Sequence, residues 1–218
     1  MMRFLVLVIL ILPGASSAAD LFASAGRIEG SDGRAICSAS LIAPDIIVTA
    51  AHCVSAESER ALFFRLGSEP EGVAYPVNRI EQHPFFEDFG RYTRLRFDIA
   101  LGRLSQPIKS SLAKPLTLGS DAVLGENLYI VSWPRGSGER PRQRRCYVIE
   151  GQISGVVTLG CRVRGGESGA PLMRLTENGV ELVAILNSTS RQKGQSVALA
   201  ADVRLRIPPL LDRLRNTP

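Results

Sequence analysis

The chain has 218 residues, with 26 Lys plus Arg against 21 Asp plus Glu and a formal net charge of +5. That length can bury a sizeable core and suits one domain or two small fused halves, and no internal repeat is visible. The basic excess is mild. Its one dense patch, Arg140-Pro141-Arg142-Gln143-Arg144-Arg145, has no interleaved aromatics, so it reads as a solvated loop and not as a nucleic-acid or membrane surface.

In chain order, Met1-Met2-Arg3 is a short basic start, residues 4–13 are apolar, and Gly14-Ala15-Ser16-Ser17-Ala18-Ala19 is a small-residue stretch of the kind a signal peptidase cuts. The apolar run is roughly half of the ~20 residues a membrane-spanning helix needs. Residues 1–19 are therefore expected to be a cleaved secretory signal. No later run is long and apolar enough to span a bilayer, so the expected product is exported, to the periplasm or the extracellular space. Gly26-Arg27-Ile28 begins the first core strand. Short runs rich in Val, Ile and Leu follow at 35–42, 46–50, 61–66, 74–80, 99–104, 127–131, 146–153, 156–161, 170–175 and 181–186. Evenly spaced short strands with few helical signals predict an all-β barrel or sandwich. The stretch 114–125 carries turn signals and no period. Asn178-Gly179 predicts a type I′ hairpin, whose two central residues need positive φ. One helix is predicted at the end, where Pro208-Pro209 precede Leu210, Leu211 and Leu214 at helical spacing.

Three segments carry chemistry. They are Thr49-Ala50-Ala51-His52-Cys53, then Asp98-Ile99-Ala100-Leu101, then Gly165-Gly166-Glu167-Ser168-Gly169-Ala170-Pro171. A serine hydroxyl is a weak nucleophile at neutral pH. It needs a base to take its proton and a buried carboxylate to hold that base in the right tautomer. The order His, Asp, Ser also argues against an esterase-like hydrolase, whose order is Ser, Asp, His. Four cysteines, Cys37, Cys53, Cys146 and Cys161, allow three disulfide pairings in an exported chain. No pair has the close spacing of a zinc site, so neither metal nor cofactor is expected.

Together these segments resemble the trypsin/chymotrypsin-like serine peptidases, and more closely their bacterial exported branch, over about residues 25–211. The resemblance implies two six-stranded antiparallel β-barrels. Residues 20–116 would carry His52 and Asp98. Residues 117–218 would carry Ser168 and the final helix, with the active site in the cleft between. It implies His52 as base, Asp98 as the orienting carboxylate, Ser168 as nucleophile, and the backbone N–H groups of Gly166 and Ser168 as oxyanion donors. Glu81-Gln82-His83-Pro84-Phe85 is similar to a structural segment of the family, which leaves His83 outside the chemistry. The resemblance selects Cys37–Cys53 and so leaves Cys146–Cys161. It puts Arg162, Asn187, Ser188 and Thr189 around the specificity pocket. The implied protein is a monomeric endopeptidase acting on proteins or peptides, with no nucleic-acid partner.

Several residues depart from the family pattern. Glu167 stands where those enzymes usually carry Asp, the acceptor of a freshly cut N-terminus. Arg27-Ile28 looks like such a cut site, yet Ile28 lies only nine residues before Cys37, which places it in a strand. An arginine is expected to pair with Glu167 instead. Arg162 is not Asp, so a preference for Arg or Lys at the cleaved bond is unsupported. An exposed Arg162 or an acidic ligand would avoid a costly buried charge. Leu186 stands where glutamate-specific relatives carry His, and Thr189 narrows the pocket where relatives often have Gly. Asn187-Ser188-Thr189 matches a glycosylation sequon by chance. These departures keep open an alternative, a weak or inactive protease-like binding module.

Overall fold

The computed structural model describes residues 23–55, 61–67, 72–87, 90–135, 140–153 and 155–216. The expected signal at 1–19 lies outside the described residues.

Six strands close the first ring. They are β1 Ala25–Glu29, β2 Ala35–Ala43, β3 Ile46–Thr49, β4 Leu62–Leu66, β5 Ala74–Gln82 and β6 Ala100–Leu104, in the order β1-β2-β3-β6-β5-β4, with β1 pairing back onto β4. All five residues of β1 are buried, which suits a strand hydrogen-bonded on both sides. After the two-residue β7 at Thr117–Leu118, six more strands close a second ring. They are β8 Asn127–Ser132, β9 Arg142–Ile153, β10 Val156–Leu159, β11 Pro171–Thr176, β12 Gly179–Gln192 and β13 Gln195–Asp202. Their order is β11-β8-β9-β10-β13-β12, the β11–β12 hairpin completes the circuit, and β7 lies parallel on β12. Closure removes the free sheet edges that would invite aggregation. The chain therefore has the two-barrel, chymotrypsin-like fold, antiparallel within each ring.

Each barrel has an apolar filling. Leu41, Ile47, Phe64 and Leu101 are buried in the first, and Leu128, Ile130, Val148, Val157, Leu159 and Leu172 in the second. The final helix, α3 here, spans Ile207–Asn216. Short helical turns at His52–Ser55 (α1) and Arg91–Arg94 (α2) precede it. Pro208 and Pro209 occupy the first turn of α3, where a missing N–H breaks no helical hydrogen bond. Its buried face, Ile207, Leu210 and Leu214, joins the core that fills the first barrel. Arg103 of β6 donates to the Leu214 carbonyl at 3.0 Å, and Arg213 pairs with Glu81 of β5 at 2.5 Å. The end of the chain is thus a strap across the barrel that formed from its beginning.

Three expectations change. The basic run is not a solvated loop: residues 142–145 enter β9, where Arg144 pairs with Ile130 of β8 and turns half-buried. The Asn178-Gly179 hairpin exists, but Thr176 pairs with Gly179, so Glu177 and Asn178 are the central residues and only Gly179 has positive φ, 130°. The type I′ signature instead belongs to Lys193 and Gly194, at φ 48° and 80°, between Gln192 and Gln195. Finally, β12 runs on to Gln192, past the expected run at 181–186 and the strand expected around 187–189, and β13 follows it, where no strand was predicted.

The two disulfides are Cys37–Cys53 and Cys146–Cys161, with sequence separations of 16 and 15. Closing a loop of this size stabilises a fold by about 3 kcal/mol in the chain-entropy account. Replacing Cys146 and Cys161 together by Ser should therefore lower the free energy of unfolding by about 2–4 kcal/mol. Urea titration measures this, and an unchanged midpoint would show that the bridge contributes nothing.

Candidate active site

Strand pairing brings two of the chemical segments together. Thr49 at the end of β3 pairs with Ala100 at the start of β6. His52 lies just after the one and Asp98 just before the other. Asp98 is 5 % exposed and holds His52 at two points: Oδ1 accepts from the His52 backbone N–H at 2.9 Å, and Oδ2 lies 2.7 Å from Nδ1. This fixes the ring's tilt and leaves Nε2 as the other nitrogen. The Cys37–Cys53 bridge anchors the turn that carries the imidazole.

Ser168 follows β10 on a tight turn, in which the Glu167 N–H donates to the Arg164 carbonyl at 3.2 Å and the Ala170 N–H to the Glu167 carbonyl at 3.1 Å. Gly166 and Gly169 sit at φ 89° and 79°, where a side chain is strained. Space forbids one too. A Cβ on Gly169 would lie 2.1 Å from the Ser38 carbonyl oxygen and 3.2 Å from the Ala50 N, so only a glycine lets this turn press against the segment leading to His52. A Cβ on Gly166 would meet the Arg135 N at 2.7 Å.

Ser38 of β2, wholly buried, was not anticipated. Its N–H donates to the Ser168 carbonyl at 2.8 Å, its hydroxyl donates to the Gly166 carbonyl at 3.2 Å and accepts from the Trp133 N–H at 3.0 Å, and its carbonyl accepts from the Thr49 hydroxyl at 2.8 Å. Nothing in Cys37-Ser38-Ala39 marks such a role, because every partner is distant in sequence. The peptide planes around the turn are held from behind. The Gly165 carbonyl accepts from the Arg135 N–H at 2.8 Å. A trans peptide points its N–H opposite its carbonyl, so the Gly166 N–H faces away from Arg135. The Ser168 N–H likewise faces away from Ala170.

The Ser168 hydroxyl donates to the Asn187 carbonyl at 3.3 Å, and no hydrogen bond joins it to His52 among the described residues. Asn187 is 4 % exposed and its Nδ2 donates to the Leu95 carbonyl at 2.8 Å, tying β12 to the turn before Asp98. Ser188 is half-buried, Thr189 is exposed and donates to the Val197 carbonyl at 3.1 Å, and Arg162 is exposed. Arg162 therefore carries no buried-charge penalty.

Glu167, fully buried, has a complete set of donors. Arg144 reaches it through both terminal nitrogens at 2.9 Å, the Ser132 hydroxyl lies at 3.0 Å, and the Arg164 N–H at 2.6 Å. Arg144 is the arginine that the sequence left unidentified. Arg27 and Ile28 meanwhile lie inside β1, 0 % and 1 % exposed, with Arg27 Nε 2.6 Å from Glu29.

His83 lies apart from the chemistry, against Phe97 at 4.7 Å between ring centroids, and its Nδ1 accepts from the Phe85 N–H at 3.3 Å. Burial, helped by the nearby Arg206 and Arg213 charges, lowers its pKa from 6.5 to about 4. Cys37, His52 and Cys53 place possible ligand atoms close together, but both sulfurs are spent in the disulfide.

The family model described as Trypsin matches residues 13–206. The chain is 30% identical over 175 residues to kallikrein-2 of Homo sapiens, covering 66% of this chain and 67% of that protein. It is 28% identical over 181 residues to the suppressor of tumorigenicity 14 protein homolog of Bos taurus, covering 66% of this chain but 21% of that protein. It is 35% identical over 75 residues to the vitellin-degrading protease of Bombyx mori, covering 33% of this chain and 27% of that protein. The chain thus spans about a fifth of the bovine relative's length and two thirds of the human one's.

Two outcomes test the electrostatics. Arg144→Met leaves the Glu167 carboxylate buried without its cation, and should cost about 3–5 kcal/mol of stability, the range for breaking a buried pair. Glu167→Gln added to Arg144→Met should recover part of that loss in urea titration. If Arg144→Met is neutral, the pair is not what holds the turn. For His83, the unfolded chain takes up the proton first as pH falls, so stability should drop between about pH 6.5 and about pH 4. Denaturation midpoints across that window measure it, and His83→Gln should flatten this part of the profile.

Proposed function

Starting from the chain's membership of the trypsin family, we propose that it is an exported serine endopeptidase that cleaves peptide bonds through His52, Asp98 and Ser168 by way of an acyl-enzyme. The observation that carries this reading is the double hold of Asp98 on His52, beside a serine turn pressed against the same segment.

In the proposed reaction the Ser168 hydroxyl swings from the Asn187 carbonyl and attacks the substrate carbonyl carbon as His52 Nε2 takes its proton. Asp98 keeps Nδ1 protonated and steadies the imidazolium. The carbonyl oxygen becomes an anion opposite the Gly166 and Ser168 N–H groups. The loss of one such donor typically costs about 10²–10³ in rate. Collapse breaks the C–N bond, the amine leaves with the proton from Nε2, and water repeats the sequence to release the acid. Asn187, Ser188 and Thr189 would line the specificity pocket, with Arg162 at its exposed margin.

Maturation fits the same reading. With Arg144 already on Glu167, no new ammonium is needed there, and a cut after Arg27 would sever β1. Export to the periplasm or the extracellular space, as in the bacterial branch, agrees with two disulfides and the apolar start. A monomer acting alone is proposed. One observation favours the alternative of an inactive binding module: the Ser168 hydroxyl rests on Asn187. A hydroxyl resting this way in the absence of substrate is compatible with catalysis, because active sites often tighten only around substrate.

Fluorophosphonate labelling of purified protein, with its intact mass checked, decides between them. The chain retaining residues 25–29 should label, and Ser168→Ala should abolish both labelling and peptide hydrolysis. Labelling confined to molecules with a new N-terminus at Ile28 would refute constitutive maturity. No labelling at all would leave the inactive module.

A further inference from the structure

Charge on the rim of the serine turn is unbalanced. Arg162 and Arg164 lead into the turn, and both are exposed. The Arg164 carbonyl closes the tight turn at Glu167, which places Arg164 within roughly 7 Å of that residue's Cα, the span of a β-turn. Arg135 is exposed on the neighbouring segment, and its N–H holds the Gly165 carbonyl at 2.8 Å. Three exposed arginines therefore belong to the turn or to the segment hydrogen-bonded to it. None has a carboxylate partner among the described residues. Some arginines elsewhere are matched, Arg34 with Asp32, Arg174 with Glu126 and Glu181, Arg204 with Asp121 and Arg213 with Glu81, while exposed Arg142, Arg145, Arg191 and Arg215 are scattered away from the turn with no carboxylate partner among the described residues. The one carboxylate inside the turn, Glu167, faces inward and is neutralised by Arg144. It offers nothing to the rim.

Resting on the peptidase reading, we propose that Arg135, Arg162 and Arg164 select substrates with acidic side chains flanking the cleaved bond. The guanidinium fork fits a carboxylate through two parallel hydrogen bonds. Strand residues are spaced about 3.3 Å apart, so carboxylates within two or three positions of a carbonyl seated at Ser168 come within reach of an extended arginine. Such exposed pairs are each worth a few-fold in binding and weaken with salt. They also speed the approach of an acidic substrate.

The test uses internally quenched peptides that differ only in carrying Asp or Glu, Asn or Gln, or Lys at each position within three residues of the cleaved bond. Fluorophosphonate titration counts active molecules, and kcat/KM is compared per active site. The wild type should prefer the acidic peptides over their amide isosteres by roughly tenfold, the product of two or three few-fold pairs. That ratio should fall towards one in high salt. It should also fall in R135Q/R162Q/R164Q, with single substitutions dividing the effect by peptide position. Equal cleavage of acidic and amide peptides by an enzyme that labels would overturn the proposal. So would a preference that survives both salt and the triple substitution. Retention on anionic lipid vesicles or heparin without any peptide preference would assign the arginines to polyanion binding instead. Failure to label at all would sink the peptidase reading itself, a distinct result.

Discussion

One buried serine holds the two barrels in register. Ser38 belongs to β2, yet its N–H, hydroxyl and carbonyl engage Ser168, Gly166, Trp133 and Thr49, groups drawn from both halves. A hydroxyl has one proton and two lone pairs, and here donation to Gly166 and acceptance from Trp133 use it in both senses. Each buried partner left unpaired would cost about 1–3 kcal/mol. The three contacts that cross between the barrels, to Ser168, Gly166 and Trp133, therefore favour one docked arrangement, and that arrangement presses the serine turn against the segment leading to His52. The triad proposed here is thus a property of an interface between two barrels more than of either alone.

The Glu167–Arg144 pair serves the same turn by different physics. A buried carboxylate is unfavourable unless fully compensated. Four donors surround this one, from a side chain of β9, a hydroxyl of β8 and the turn's own backbone. The strand that carries Arg144 also carries Cys146, so the disulfide and the ion pair constrain one stretch of chain. The positive-φ glycines supply the sharpness of the turn, and the charge pair supplies its fixed position.

The sequence disclosed what depends on local pattern. Most of the strands and the proline-led helix are local, and the structure has them close to the expected bounds. The disulfide pairing followed only from family likeness, since arithmetic left three choices. What the sequence concealed was set by distant partners. β13 is rich in alanine, a poor strand former by itself, and becomes a strand because β10 and β12 flank it. The far half of β12 is polar because it extends past the core as a hairpin arm. The basic run looked like a loop because four arginines in six residues give no alternation. Only Glu167, more than twenty residues on, explains why Arg144 turns inward. Asn178-Gly179 carried the stronger turn signature, but pairing register moved the turn back by one residue and left the type I′ geometry to Lys193-Gly194.

The strap formed by α3 bears on how the molecule comes into being. Arg103 and Leu214 are 111 residues apart, and the apolar face of the strap shares a core with strands made at the other end of the chain. Contacts of such long separation form late, because the intervening loop must close first. The first barrel can assemble its hydrogen-bonded ring early, but its outer wall stays greasy and open until the last ten or so residues arrive. A protein threaded outward from its N-terminus would cross in that unfinished state. Under the export proposed here, completion of that wall would wait for the far side of the membrane.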